Sequence, residues 1–328
     1  MEILQLKKYD PEWKQAWELY KEAVEQKAML YTEMEFEVFR DKFSCEKKEV
    51  ATVNLIEKEG TAFASGCLDK RSGKLFITMI IVHKNQRRQG KGKEILTALE
   101  QSLEAEAACP NNSSIYELSF FNPNTLTWNI PDQKGVTHPN SPGIDVGSSA
   151  YLFFKNCGYR EFALQNSYYL NLTAFEYPRA YQEKKQKLEQ EGITFQIYDS
   201  KCHQGMEDML KGFGNSMWED EILAEPNIAE GGRPILVPIQ NGHVLGFTGP
   251  LSVELGGRGY FAGIAVSADI RGKGLGKLLF HELCNGLKKQ GALYMTLFTG
   301  ENNPARNIYE EVGFQIVRSW SDMRKTKK

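Results

Sequence analysis

The sequence has few of the features that mark secreted, membrane or metal-binding proteins. Its six cysteines are scattered without a C-x-x-C pair, and its five histidines show no spacing typical of metal ligands. The N-terminal segment lacks the apolar core of a signal peptide, and no apolar run has the length of a membrane span. We therefore expect reduced thiols, no bound metal and a cytoplasmic location.

An excess of charge of one sign is also missing. The 40 lysines and arginines nearly balance the 42 aspartates and glutamates, which gives a net charge of −2. This balance provides no electrostatic reason to expect nucleic acid or an anionic membrane as a partner. With 328 residues, of which 41 % are hydrophobic, the chain is predicted to form a globular protein of two domains.

A strand, a basic glycine-rich turn and a helix occur twice in the chain. The first copy has an apolar strand at Ile80–Val82 and then R-R-Q-G-K-G at Arg87–Gly92. The second has Ile264–Val266 and then R-G-K-G-L-G at Arg271–Gly276. In both copies five positions separate the valine from the arginine, and leucines follow at helical spacing. Each turn is therefore predicted to lead into the first turn of an amphipathic helix.

Such a turn is suited to binding a pyrophosphate, because the first amides of a helix have no intrahelical partner and lie at the positive end of its dipole. Two well-known phosphate loops do not fit. The nucleotide triphosphate loop G-x-x-x-x-G-K-[ST] fails because Arg87 and Arg271 replace its first glycine. The dinucleotide pattern G-x-G-x-x-G fails because the glycines at 272, 274 and 276 are spaced by two.

The remaining pattern, R-x-x-G-x-G between a strand and a helix, resembles the acyl-coenzyme A loop of the GNAT superfamily of N-acetyltransferases. Downstream of the second copy, Asn302–Phe314 is similar to the superfamily's N-x-x-A-x-x-x-Y-x-x-x-G-F signature. The resemblance implies an α/β fold (α+β, mixed sheet) made of two tandem GNAT acyl-CoA N-acyltransferase domains. It also implies acetyl-CoA as cosubstrate and an amine as acceptor.

The resemblance further implies which residues bind the cofactor. The pantetheine arm would pair with the strand before the loop, and the pyrophosphate would bind to the loop itself. In the second copy these are Ile264, Ala265, Val266, Arg271, Gly272, Lys273, Gly274, Leu275, Gly276, Lys277 and Asn302. In the first copy they are Ile80, Val82, Arg87, Gln89, Gly90 and Gly92.

Catalysis is predicted in the second copy. Tyr309 occupies the signature position of the general acid, whereas Phe154 stands at the matching place of the first copy and has no proton to donate. The sequence does not identify the general base: Glu254 and Glu301 are candidates by position, both could instead be ordinary solvated carboxylates, and a water chain could replace them. Trp218–Asp220 is placed where acceptor-contacting helices lie, with surface packing as the alternative.

The domains are predicted at 1–175 and 193–328, joined by a polar linker helix at 176–192. Asn241-Gly242 is typical of a tight β-hairpin turn. The first half also carries an insertion at 122–147, rich in proline and asparagine, which is predicted either to cover a cleft or to be a solvated excursion.

These features predict a cytoplasmic tandem N-acetyltransferase with a catalytic C-terminal domain. The acceptor stays open between amine-bearing small molecules, aminoglycosides, amino-sugar thiols and protein lysines, and no oligomeric state is predicted. The alternative hypothesis is a non-catalytic acyl-CoA sensor or scaffold.

Overall fold

The computed structural model describes residues 1–44, 47–107, 115–214, 216–224, 231–270 and 272–326. It divides into two compact units. Unit 1 comprises Met1–Asn166 and Arg318–Lys328, and unit 2 comprises Ser167–Val317. Among the described helices none is both long and apolar enough to cross a membrane.

The described elements of the first half include nine strands and four α-helices. They are β1 (Ile3–Gln5), α1 (Trp13–Glu25), α2 (Phe36–Phe43), β2 (Val50–Glu57), β3 (Ala62–Asp69), β4 (Lys74–Val82), α3 (Lys91–Ala107), β5 (Ile115–Leu118), β6 (Trp128–Asn129), β7 (Thr137–His138), β8 (Ile144–Asp145), α4 (Ser149–Asn156) and β9 (Arg160–Asn171).

The second half repeats this order. Its described elements are α5 (Arg179–Gln190), β10 (Ile193–Ile197), α6 (Met206–Phe213), α7 (Ser216–Leu223), β11 (Leu236–Gln240), β12 (His243–Val244), β13 (Gly246–Gly249), β14 (Arg258–Gly259), β15 (Gly263–Val266), α8 (Leu275–Lys289), β16 (Tyr294–Gly300), α9 (Arg306–Val312) and β17 (Gln315–Thr326). Both copies of the predicted strand, turn and helix are present, as β4 with α3 and as β15 with α8.

The sheet of unit 1 is mixed. Strands β1 to β5 follow one another in order; β1 to β4 are antiparallel neighbours, and β4 and β5 are parallel. Residues 323–326 of β17 then pair antiparallel with β5, between Met323–Leu118 and Thr326–Ile115. The buried face of α3, at Ile95, Leu96, Leu99 and Leu103, packs on this sheet. The mixed α/β class predicted from the sequence is confirmed.

Unit 2 contains an antiparallel sheet in the order β10-β11-β13-β15, with β12 beside β11. A separate parallel pair is formed by β14 and β16. The predicted hairpin turn at Asn241-Gly242 joins β11 to β12, and both residues adopt positive φ angles (51° and 78°). The leucines of α8, spaced along one face, are buried against this framework.

The boundaries of the units differ from the predicted domains. The chain passes from unit 1 to unit 2 inside β9, between Asn166 and Ser167, and returns inside β17, between Val317 and Arg318. The prediction kept residues 318–328 with the second domain, but the backbone pairing of 323–326 with β5 places them in unit 1. The predicted linker segment does form a helix, α5, which belongs to unit 2 and packs within it.

Candidate functional site

Strands β4 and β5 of unit 1 separate after a short parallel pairing. Among the described residues they pair at Leu75–Tyr116 and Phe76–Glu117, while β4 continues to Val82. The register of β3 and β4 also shifts, so that Thr78 is an extra residue on β4. Such a bulge bends and twists its strand. A gap therefore opens beside β4 from Ile77 onward.

The glycine turn of unit 1 lies at the end of this strand. Arg88 and Gly90 have positive φ angles (64° and 87°), which lead the chain directly into α3. The Arg87 Nε donates to the carbonyl oxygen of Val82 at 2.9 Å and so ties the turn to β4. Space is available at Gly90, where an added Cβ would lie 3.7 Å from its nearest neighbour, Oε1 of Glu94. A bulky anion can therefore approach the first amides of α3.

A cavity of about 800 Å³ joins the strand to the turn. Its walls are Ile77–Val82 of β4, the turn residues, α4, and at the other end the segment around Asp145 together with Tyr31 and Trp320. A second cavity of about 30 Å³ shares Tyr31 and Thr78 with it. The larger volume lies in the range of ligand sites. Strand, turn and cavity thus form one continuous site within unit 1.

Most cofactor-binding residues predicted for the first copy line this cavity. They are Ile80, Val82, Arg87, Gly90 and Gly92. The exception is Gln89, whose side chain turns back and donates to the carbonyl oxygen of Asn85 at 3.0 Å. Phe154 also lines the cavity and packs edge-on against Tyr159, with ring centroids 5.1 Å apart.

The turn of unit 2 has a similar backbone, but a side chain lies over it. Gly272 and Gly274 have positive φ angles (82° and 70°), as a glycine turn before α8 requires. An added Cβ at Gly274 would overlap the Nζ of Lys184 on α5. The predicted ligand Arg271 lies outside the described residues, and Lys273 is exposed to solvent.

Helix α5 also packs on the first turn of α8. Leu188 of α5 belongs to one buried cluster with Leu275 and Leu278, against which Val266 is packed. The Tyr181 ring stacks on His281 at 3.9 Å, and its hydroxyl donates to Glu311, which also pairs with Lys277. The side chains of three residues predicted to bind the cofactor, Val266, Leu275 and Lys277, therefore have contacts within unit 2.

The other end of β15 is covered by α7. The ring of Trp218 lies so close to Gly263 that an added Cβ would be 2.7 Å from its Cε2. Its Nε1 donates to the carbonyl oxygen of Ala262 at 3.2 Å. Between the two ends of β15, Ile264 and Ala265 pack against clusters of buried hydrophobic side chains in unit 2. For Trp218 the structure therefore favours the packing alternative, since its ring packs against the Gly263 end of β15.

Tyr309 lies in the apolar core of unit 2. It is 5 % exposed, with its ring centroid 5.0 Å from Phe280 and 6.1 Å from Phe261. Burial raises the pKa of its phenol, and Tyr168 acts in the same direction. Gly276 lies nearby. A Cβ added at this glycine would be 3.5 Å from Ile308 and 3.6 Å from Val266.

The other residues predicted for the unit 2 site, Glu254 and Glu301 as candidate bases and Asn302 as a cofactor-binding residue, form an ion pair or are exposed. Both carboxylate oxygens of Glu254 accept from the Arg258 guanidinium, at 2.6 and 2.8 Å, so this residue stabilises a strand end. Glu301 and Asn302 are exposed. Of these residues, Glu254 has its carboxylate occupied by an ion pair, and Glu301 and Asn302 face solvent.

The sequence of this fold matches a known protein family. The model of the Acetyltransferase (GNAT) family matches the chain twice, at residues 13–123 and 203–314. The chain belongs to the GNAT acetyltransferase family. The predicted tandem arrangement of two GNAT domains is confirmed, and family membership supports acyltransferase activity.

Several solved structures share the fold at low sequence identity. A GCN5-related N-acetyltransferase from Sphaerobacter thermophilus is 17 % identical, with a TM-score of 0.62 over 99 % of this chain and 95 % of that one. A tandem GNAT protein from the clavulanic acid biosynthesis pathway is 12 % identical, with a TM-score of 0.59 over 99 % and 98 %. A glucosamine N-acetyltransferase region of a fungal GH3 β-N-acetylglucosaminidase is 15 % identical, with a TM-score of 0.64 over 99 % of this chain and 38 % of that one.

No curated protein sequence matches the chain significantly. Among the described residues, no group of three or more metal-ligating side chains could hold a metal ion.

Some residues that line the unit 1 cavity could not be identified from the sequence. Tyr31, Thr78, Asp145 and Trp320 line it, yet they come from four separate parts of the chain. None of them belongs to a recognisable motif. The one sequence signal that pointed towards this region was the unusual length of the 122–147 insertion.

Proposed function

We propose that the protein is an N-acetyltransferase that binds acetyl-CoA in the cavity of unit 1 and transfers the acetyl group to an amine. The observation that carries this proposal is the continuity of the cavity with both β4 and the glycine turn. From the sequence pattern, catalysis was predicted in the C-terminal domain. The cavity beside the unit 1 turn, together with the packing of α5 on the first turn of α8 in unit 2, supports the opposite assignment.

Different parts of the unit 1 cavity are proposed to bind different parts of acetyl-CoA. The amides at Gly90–Gly92 and the positive charges of Arg87 and Arg88 would hold the pyrophosphate. The edge of β4 between Val82 and Thr78 would pair with the pantetheine arm. A backbone amide of the same strand would polarise the thioester carbonyl, where negative charge develops in the transition state.

The acceptor is proposed to enter at the end of the cavity away from the glycine turn. This end is formed by Tyr31, Asp145 and Trp320. Its mixture of aromatic surface and hydrogen-bonding groups supports a small polar amine as acceptor. The described cysteines 67, 157, 202 and 284 are free thiols, which supports a reducing compartment such as the cytoplasm.

Purified protein incubated with acetyl-CoA and a panel of amines tests the proposal through the release of free thiol. The panel includes amino sugars, aminoglycosides, polyamines and a lysine peptide. We expect acetyl-CoA to raise the melting temperature by mass action and at least one amine to accelerate thiol release. A thermal shift without release for any amine would instead support the sensor hypothesis, and no shift would refute cofactor binding.

A further inference from the structure

Acetyl transfer releases a thiolate that must be protonated, and Phe154 stands in unit 1 where the family signature has tyrosine. We propose that Tyr31 supplies this proton in the unit 1 cavity. The proposal rests on the function proposed above, because it concerns the same cavity. It assigns a catalytic role to a residue outside every motif of the sequence.

The geometry of the cavity determines where the proton is needed. The glycine turn follows Val82, so an arm that starts at the turn and follows β4 ends towards Thr78, about 13 Å away at the rise of a strand. At this end Tyr31 and Thr78 line both cavities. The reacting sulfur is therefore expected next to these two residues.

Among the described residues that line the large cavity, Tyr31 is the one phenol. The hydroxyl of Thr78 is a much weaker acid, and it already accepts from Nδ2 of Asn122 at 3.1 Å. The Cys157 thiol follows the last turn of α4, and burial raises its pKa against the opposing charge of Lys325. These differences leave Tyr31 as the best placed proton donor.

The backbone around Tyr31 is fixed by the 122–147 insertion. The Asn129 amide donates to the carbonyl oxygen of Leu30 at 2.8 Å, and its Nδ2 donates to that of Tyr31 at 3.2 Å. On the other side, the Thr32 amide donates to the carbonyl oxygen of Thr127 at 3.0 Å. Tyr31 is therefore held on both sides by the insertion.

The insertion is itself anchored in the core of unit 1. Trp128 is fully buried, and its ring centroid lies 4.8 Å from that of Trp320. Its Nε1 donates to the carbonyl oxygen of Asn140 at 3.0 Å. This anchoring gives the insertion a specific role, because the segment that departs from the family pattern also holds the phenol that replaces the missing tyrosine.

The surroundings of the phenol keep it protonated. Burial raises the pKa of Tyr31; a hydrogen bond with the Ser141 side chain opposes this effect, and the negative charge of Asp145 adds to it. The Asp145 carboxylate is held by two hydrogen bonds from Arg318, both 2.7 Å. At neutral pH the group can therefore act as an acid.

The neutral amine nitrogen attacks the thioester carbonyl carbon, so that a C–N bond forms and the C–S bond breaks. The electron pair of the broken bond stays on sulfur, which takes the Tyr31 proton and becomes the coenzyme A thiol. The acetylated nitrogen loses one proton, which returns to the tyrosinate through solvent. The products are the N-acetylated acceptor and coenzyme A.

Tyr31→Phe tests this role, with Tyr151→Phe as the matched control. Tyr151 also lies in unit 1, on α4, but its hydroxyl contacts Glu161 and Lys155 outside the set of cavity-lining residues. Thiol release from acetyl-CoA is measured with the amine that gives the highest rate in the panel, and also with water as acceptor. We expect Tyr31→Phe to lower kcat about a hundredfold and Tyr151→Phe to change it less than about twofold.

Binding of acetyl-CoA by the Tyr31→Phe variant is measured by calorimetry and is expected to stay within about threefold of wild type, because the turn and β4 are intact. An unchanged kcat would overturn the proposal, as would a raised KM for the amine with unchanged kcat, which indicates acceptor binding only. Wild-type protein that fails to bind acetyl-CoA would instead refute the proposed function, which separates the two failures.

Discussion

The ammonium group of Lys184 lies over Gly274, next to the place where a Cβ on that glycine would be. The helix α5 that carries Lys184 also buries Leu188 against the first turn of α8. The two glycine turns of the chain therefore have similar sequences but different surroundings. The turn in unit 1 opens into a cavity, and the turn in unit 2 is covered.

A matched pair of glycine variants compares the two turns. Gly92→Asp and Gly276→Asp each place a carboxylate in the first turn of a helix, where the positive end of the helix dipole stabilises it. The same carboxylate repels a pyrophosphate. We expect wild type to bind one acetyl-CoA per chain in titration calorimetry. Gly92→Asp should weaken binding more than tenfold, and Gly276→Asp should have little effect. Two bound molecules per chain, or the reverse ranking, would contradict the assignment to unit 1.

Tyr309→Phe is expected to leave turnover within about twofold of wild type. The ring is packed among Phe261, Phe280 and Phe314, and the variant keeps these contacts. Steady-state thiol release at saturating acetyl-CoA is the measurement. A loss of tenfold or more would restore Tyr309 as the general acid and unit 2 as the catalytic unit.

Trp128→Ala should destabilise unit 1 by about 3–5 kcal/mol, in the range for truncating a buried tryptophan. The same variant should abolish acetyl transfer, since the segment that holds Tyr31 loses its anchor. Urea unfolding followed by circular dichroism gives the free energy. Tyr9→Ala removes a ring that is 80 % exposed and serves as control. Equal losses in both variants would contradict the buried position of Trp128.

The stability of unit 2 is expected to fall in mild acid because of His281. Burial lowers the pKa of this histidine to about 4, against the opposing effects of Glu311 and Glu282. The unfolded chain takes up the proton near pH 6.5, whereas the native state does so only near pH 4. The stabilisation is therefore complete above pH 6.5 and is lost as the pH falls from 6.5 to 4.

His281→Leu isolates this effect, because the ring nitrogens of His281 have no hydrogen-bond partner among the described residues. Between pH 7.5 and 5, wild type should lose roughly 2 kcal/mol more unfolding free energy than the variant. His243→Gln, which alters an exposed histidine, should behave as wild type. An identical pH response of wild type and His281→Leu would show that His281 has no such effect.

The local features of the fold could be predicted from the sequence because they depend on neighbours along the chain. The glycines with positive φ at 90, 272 and 274, and the helices that follow them, are set by spacing. The hairpin at Asn241-Gly242 follows from the same kind of local rule.

The location of the cavity could not be predicted in this way. The sequence of α5 is almost entirely polar, with one buried residue, Leu188, so its pattern indicated a solvated linker. Its packing depends on contacts of Tyr181 and Leu188 with residues about a hundred positions away. Tyr31 is likewise brought to the cavity by backbone hydrogen bonds to the insertion, which no periodicity encodes.

The return of β17 to unit 1 has a consequence for synthesis of the chain. The edge of β5 is completed by residues 323–326, roughly 150 residues after the first part of unit 1 ends at Asn166. At about 5–20 residues per second, a ribosome needs on the order of ten to thirty seconds to make that interval. Trp320, one wall of the cavity, arrives with the same segment. The nascent chain therefore lacks a finished cavity in unit 1 until residues 320–326 have left the ribosome.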